Sequence, residues 1–161
     1  GHAVASLLLG QDVSRASIKA TTSGVGGAVF NADDESQFIT RKKLRNKIKV
    51  AYAGRVAEEL FFDDITGGAS NDISQAKQMI NAYVDTYGFD NESGLYGVVE
   101  KSTTDKDSSN RKAALSNELV NEVRTLLEVN RELVSSLAKE LLLKETMSGS
   151  EIVKYLNIEE K

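Results

Sequence analysis

Not one of the 161 residues is proline. Proline breaks helices and presets many turns. A chain without it meets no forced stop inside a helix and must turn on Gly, Asn, Asp and Ser. The expectation is a mainly α chain (α+β) with a small β element, and the apolar periodicity agrees. Leu44, Ile48, Ala51, Tyr52, Val56 and Leu60 share one face of a helix that Thr40 caps and that runs to about Phe62. Leu115, Leu119, Val123, Leu126 and Leu127 make a second apolar face. Leu133, Val134, Leu137, Ala138, Leu141 and Leu142 make a third. Asn130 either splits these two into an antiparallel pair or lies inside one long helix. Ser150 is placed to cap a last helix through Leu156. Residues Gly1 to Gly10 read as the tail of a helix, and the chain opens inside it without a cap, as a piece of a longer protein would.

Extended structure is confined to short stretches. Ser17 to Ala20 and Gly27 to Phe30 are strand candidates, joined by a turn through Ser23, Gly24 and Gly26, and Leu95 to Val99 is a further extended piece. Asp33 to Phe38 is a polar loop, and Lys101 to Asn110, polar and charged, is expected to be mobile. The length fits one domain with a real core. Without cysteine there are neither disulfides nor thiolate zinc sites. A net charge of −4 gives no footprint for a nucleic-acid partner. Basic residues at 41, 42, 43, 45, 47 and 49 read as a solvated helix face, since no aromatics interleave them. No apolar run reaches the roughly 18 residues of a membrane span.

The most informative stretch is Thr66-Gly-Gly-Ala-Ser-Asn-Asp72. Its glycines allow a tight turn, and Ser70, Asn71 and Asp72 crowd a helix start where side-chain oxygens satisfy orphan amides. Asp72 with Gln75 has capping-box spacing. Ile73, Ala76, Ile80, Tyr83, Val84 and Tyr87 then follow helical periodicity, and Gly88 stands at the C-terminal cap position. Asp72 has two readings: a cap at the positive end of the helix dipole, or a metal ligand. Its partner in the second reading is His2, the single histidine of the chain. One His and one Asp are not a complete zinc site, because catalytic zinc commonly takes three protein ligands and a water.

Five segments, in order, resemble the peptidase domain of the FtsH family, membrane-anchored ATP-dependent zinc proteases. Gly1-His2-Ala3-Val4-Ala5 is similar to the end of that family's helical His-Glu-Ala-Gly-His motif. Ala53-Gly54-Arg55-Val56-Ala57-Glu58-Glu59-Leu60 resembles its Gly-Gly-Arg-Ala-Ala-Glu-Glu segment. Thr66 to Asp72 resembles its Thr-Gly-Ala-Ser-Asn-Asp with one extra Gly, and Tyr87-Gly88 its Tyr-Gly-Met. Leu142-Leu143-Lys144-Glu145-Thr146, then Gly149 and Glu151, resemble its Leu-Glu-Lys-Glu-Thr-Leu and Gly-Glu.

The resemblance implies one peptidase domain over residues 1–161, entered within the zinc-binding helix. In the family two His and a distant Asp bind zinc, and a Glu beside the first His is the general base. The second His falls on His2 and the Asp on Asp72; the first His would lie three residues before Gly1 and the Glu two before. Positions i and i+4 share a helix face, so both imidazoles reach one metal. The resemblance further implies an edge strand, here Gly26, Gly27, Ala28 and Val29, that pairs with extended substrate. A plain edge strand is the other reading of it, and Thr22-Ser23-Gly24 stands where the family has Pro-Arg-Gly. One of Glu58 and Glu59 could orient a ligand, but surface carboxylates are the expected reading, since Asp and Glu are mostly exposed. At the level of the intact protein the resemblance implies ATP use by a separate ATPase domain, a homo-hexameric ring, a membrane anchor with the peptidase domain on the cytoplasmic side, and unfolded or membrane proteins as substrates. The 161 residues alone are expected to be inactive, with zinc held weakly. The alternative is a non-catalytic, protease-like scaffold in an FtsH-like ring.

Overall fold

The computed structural model describes residues 1–19, 27–31, 38–62, 64–90 and 105–158. It is mainly α with one small antiparallel sheet, and it divides into two compact units. One comprises residues 1–36 and 126–161, the other residues 37–125.

The second unit is a helical core. Helix α2 (Arg41–Phe62) starts as expected at Thr40, whose Oγ1 accepts from the Lys43 amide at 3.2 Å. A 3₁₀ turn (Gly67–Ala69) leads into α3 (Ser70–Asn81), which continues into a π-helical turn (Ala82–Thr86) closed by the Tyr87 amide on the Ala82 carbonyl at 2.9 Å. Gly88, with φ +57°, takes the left-handed position foreseen for it. Helix α4 (Asp105–Val129) supplies Leu115 and Leu119. These pack with Leu44, Ile48, Ala51 and Tyr52 of α2 and with Ala76, Ile80, Tyr83 and Val84. The periodic face of α3 is therefore real, although its end members Ile73 and Tyr87 stay exposed.

The basic stripe of α2 is a correction. Arg45 Nη2 meets Glu118 and, at 2.7 Å, Glu122, while Lys49 Nζ lies 3.0 Å from Glu122. Two of the six cations thus join α4 instead of facing water. Burial works against the charge of Arg45, but hydrogen bonds to Glu118 and Tyr83 and the charges of Glu118 and Glu122 outweigh it and raise its pKa. Residues 105–110 correct a second expectation, since they form the first turns of α4. The extended candidate at 95–99, the turn at 23–26 and residues 101–104 lie outside the described residues.

The first unit is built on the sheet. Helix α1 (His2–Leu8) buries Ala3, Val4 and Ala5 and ends at Gly10, φ +72°. Strand β1 (Val13–Ser17) is central, with order β2–β1–β3, where β2 is Ala28–Asn31 and β3 is Thr146–Ser148. Both pairings are antiparallel: Ala16 stands opposite Val29 on one side and Met147 on the other. The first strand therefore begins at Val13 and ends at Ser17, where periodicity had only begun it. Beyond Asn130, which separates α4 from α5 (Arg131–Lys144), Val134 and Leu137 are buried but Ala138 and Leu142 are exposed. Glu145, at φ 63°, turns the chain into β3. Helix α6 (Gly149–Leu156) is capped by Ser148, not Ser150. Ser148 Oγ accepts from the Glu151 amide, and the Glu151 carboxylate accepts from the Ser148 amide at 2.8 Å, a complete capping box.

Candidate metal centre

His2 opens α1. Its ring is half-buried and its Nε2 is shut off from solvent. The helix beneath it is fixed to the sheet by the buried Ala3, Val4 and Ala5 and by the buried Ser6, whose hydroxyl donates to Asn31 Oδ1 of β2 at 3.3 Å. The imidazole is therefore carried on a packed helix, not on a loose end.

Asp72 belongs to the first turn of α3 and is half-buried. It is not the cap that its spacing to Gln75 suggested. The capping residue of this stretch is Thr66, which precedes the 3₁₀ turn and whose Oγ1 accepts from the Gly68 amide at 3.2 Å. The N-cap position of α3 itself is Ala69, whose side chain can cap nothing.

The stretch before Asp72 is tied back to α2. Glu58 accepts from the Thr66 amide at 3.1 Å and from the Thr66 hydroxyl at 3.0 and 3.2 Å. Its neighbour Glu59 accepts from Arg55 Nε at 3.0 Å and from Arg124 Nη2 at 2.6 Å. The hydrogen bonds from Arg124 and then Arg55 hold the Glu59 carboxyl below the ordinary carboxylate range. Neither glutamate is a plain surface carboxylate. The Arg55–Glu59 pair has i,i+4 spacing and could have been read from the sequence. Arg124, 65 residues from Glu59, could not.

Imidazole and carboxylate are both ordinary zinc donors, so the residue types fit that metal. Their number is short: among the described residues no three His, Cys, Asp or Glu side chains gather into a metal-sized group. His2 falls in one compact unit and Asp72 in the other.

Of the proposed substrate edge, Gly26 lies outside the described residues. Gly27 precedes β2, and a Cβ there would stand 3.0 Å from the Ser17 carbonyl oxygen, tighter than an ordinary contact, so glycine eases a close backbone approach. Ala28 and Val29 form the start of β2, an edge strand of the sheet as described.

The class these features define is a mainly α domain with a small antiparallel sheet, an imidazole at one helix start and a carboxylate in the first turn of another. The chain belongs to Peptidase family M41, whose family model matches residues 1–155, as a peptidase domain of the FtsH type. It is 36% identical over 157 residues to an ATP-dependent zinc metalloprotease FtsH of Lachnoclostridium phytofermentans, covering 94% of this chain and 27% of that protein. It is 34% identical over 160 residues to ATP-dependent zinc metalloprotease FtsH 1 of Alkaliphilus metalliredigens, with the same coverage of each. An FtsH of Clostridium perfringens is 32% identical over 174 residues, covering 97% of this chain and 24% of its own. The chain spans about a quarter of the length of these relatives. Among the described residues, no helix is long and apolar enough to cross a membrane.

Proposed function

We propose that this chain is the peptidase part of an ATP-dependent zinc metalloendopeptidase that degrades unfolded or membrane proteins. The observation that carries the reading is the match to the M41 family over residues 1–155, within which both His2 and Asp72 are present. The two units together form one peptidase domain in this reading. His2 and Asp72 each supply one zinc ligand, and the remaining imidazole and the general-base Glu come from the family's motif upstream of Gly1. Zinc, when bound, lowers the pKa of a water and polarises the scissile carbonyl. The chain's own contributions are positional. The apolar side of α1 fixes the His2 ring, the capped turn before α3 presents Asp72, and the edge of β2 at Gly27, Ala28 and Val29 holds extended substrate by main-chain hydrogen bonds. Hexameric assembly, ATP hydrolysis by a separate domain and a membrane anchor that leaves the peptidase domain on the cytoplasmic side complete the proposal.

The 161 residues by themselves contain one histidine, so we expect them to hold zinc weakly and to turn over no peptide. The test compares zinc per chain for the 161 residues, for a version extended upstream, and for the extended version with Asp72→Ala. One zinc in the extended chain, lost or reduced on Asp72→Ala, supports the enzyme. No zinc in the extended chain under metal-replete conditions refutes it and leaves a non-catalytic scaffold of an FtsH-like ring. Turnover of an unfolded protein by the 161 residues would refute the expected inactivity.

A further inference from the structure

We infer that Glu58 is a positioning residue for Asp72, acting through Thr66. The inference rests on the reading of Asp72 as a zinc ligand and adds a residue that does not itself touch the metal.

The geometry has a fixed direction. An ionised carboxylate carries no hydrogen, so the Thr66 hydroxyl must donate to Glu58. That leaves the lone pairs of Thr66 Oγ1 for the Gly68 amide, which lies 3.2 Å away. A second donor, the Thr66 amide, reaches the same carboxylate. Glu58 thus holds Thr66 at two points, and Thr66 in turn holds Gly68.

From there to Asp72 the chain is short, and Ala69, at φ −82° and ψ 4°, departs from helical geometry. Residues Gly67–Ala69 form the 3₁₀ turn, and α3 begins at once at Ser70. Ser70 is already helical, at φ −60° and ψ −38°, and its amide bonds the Gly67 carbonyl. A shift or fraying at Thr66 is therefore passed through the 3₁₀ turn, which abuts α3 without an intervening residue, to the first turn where Asp72 sits. The packing is close as well, since a Cβ on Gly68 would stand 3.2 Å from Thr66 Oγ1.

The other end of the tie is also anchored. Glu58 lies on the turn of α2 that Glu59 pins through Arg55 and Arg124. One helix turn thus divides two tasks between adjacent carboxylates: Glu59 joins α4, and Glu58 joins the stretch that carries Asp72. A side chain that only solvated the surface would not use both carboxylate oxygens on one residue eight positions away.

Outer partners that orient metal ligands typically change affinity by about 10- to 100-fold when removed. The experiment titrates Co²⁺ into the metal-free full-length protein and records affinity and the visible ligand-field spectrum. Glu58→Ala and Thr66→Val should each weaken Co²⁺ binding by about tenfold or more and alter the spectrum. Thr66→Ser, which keeps the hydroxyl, should restore both. The Thr66 pair keeps the test intact should Glu58→Ala fail to fold. Wild-type affinity and spectrum in Thr66→Val overturn the inference. Loss confined to Glu58→Ala overturns it too, because a direct Glu58 ligand would behave in that way. Asp72→Ala separates this from the parent reading. Metal lost there while Thr66→Val binds normally sinks only the role of Glu58. Metal retained there shows that Asp72 is not a ligand, and then both readings fall.

Discussion

Replacing Gly149 by alanine sets two physical rules against each other. Gly149 is the first residue of α6, and in a helix alanine is ordinarily better than glycine by about 0.5–1 kcal/mol. The tertiary structure reverses the sign. A Cβ at Gly149 would lie 1.6 Å from the Val13 carbonyl oxygen and 2.8 Å from its carbon. Real Cβ atoms essentially never come closer than 3.0 Å, so the overlap is roughly 1.4 Å. Both offending atoms are backbone, and no rotamer change relieves them. Either α6 lifts off β1 or the central strand moves, with Met147 and Ile152 fully buried beside the contact. Overpacking costs of about 1–3 kcal/mol apply where side chains can adapt. Here we expect the upper end, about 3 kcal/mol, or more. At a urea slope of about 1–3 kcal/mol/M this lowers the unfolding midpoint by about 1–3 M. Gly67→Ala is the control, because nothing lies within 4 Å of its would-be Cβ, and it should shift stability by no more than about 0.5 kcal/mol. A Gly149→Ala midpoint at or above that of the parent chain would refute the close approach of α6 to β1.

Truncating Leu119, fully buried in the α2–α3–α4 core, to alanine should cost about 2–5 kcal/mol in urea or thermal unfolding. Ser148→Ala removes one half of the capping box and should cost about 1 kcal/mol by the same measurement, whereas Ser150→Ala should cost less. Glu59 gives a pH prediction. Its carboxyl titrates below the ordinary value of 4.5 because Arg124 and Arg55 bond its charged form. As pH falls, the unfolded chain takes up the proton first, so the Glu59 contribution is complete above pH 4.5 and is lost as pH drops through the lower folded-state value. Glu59→Gln should therefore flatten the stability-versus-pH curve below pH 4.5 and leave its slope near neutrality unchanged, which denaturation at a series of pH values would show.

The sequence alone determined what depends on neighbours a few residues apart. Helical class, the span of α2, the Thr40 cap and the left-handed Gly88 all follow from periodicity and capping, which act within one or two turns, whereas Asn130 allows either a break or one long helix, and the structure decides for the break. The peptidase family was legible through ordered motif matches, and the family comparison agrees with it. Other features depend on residues far apart in the chain, and only the tertiary structure decided them. Three residues at 146–148 carry no strand signal of their own, yet they pair with β1 because Glu145 turns the chain beside it. Arg45 and Lys49 look like solvated cations until α4 brings Glu118 and Glu122, 73 to 77 residues further along the chain, against them. Ser148 displaces Ser150 as cap because β3 ends there and presents its hydroxyl to the Glu151 amide. Glu58 reads as surface charge in the sequence and becomes a tie in the structure, because the loop after α2 folds back over the helix's own last turns. Local rules choose the elements; which charges, caps and glycines matter depends on what the folded chain sets against them.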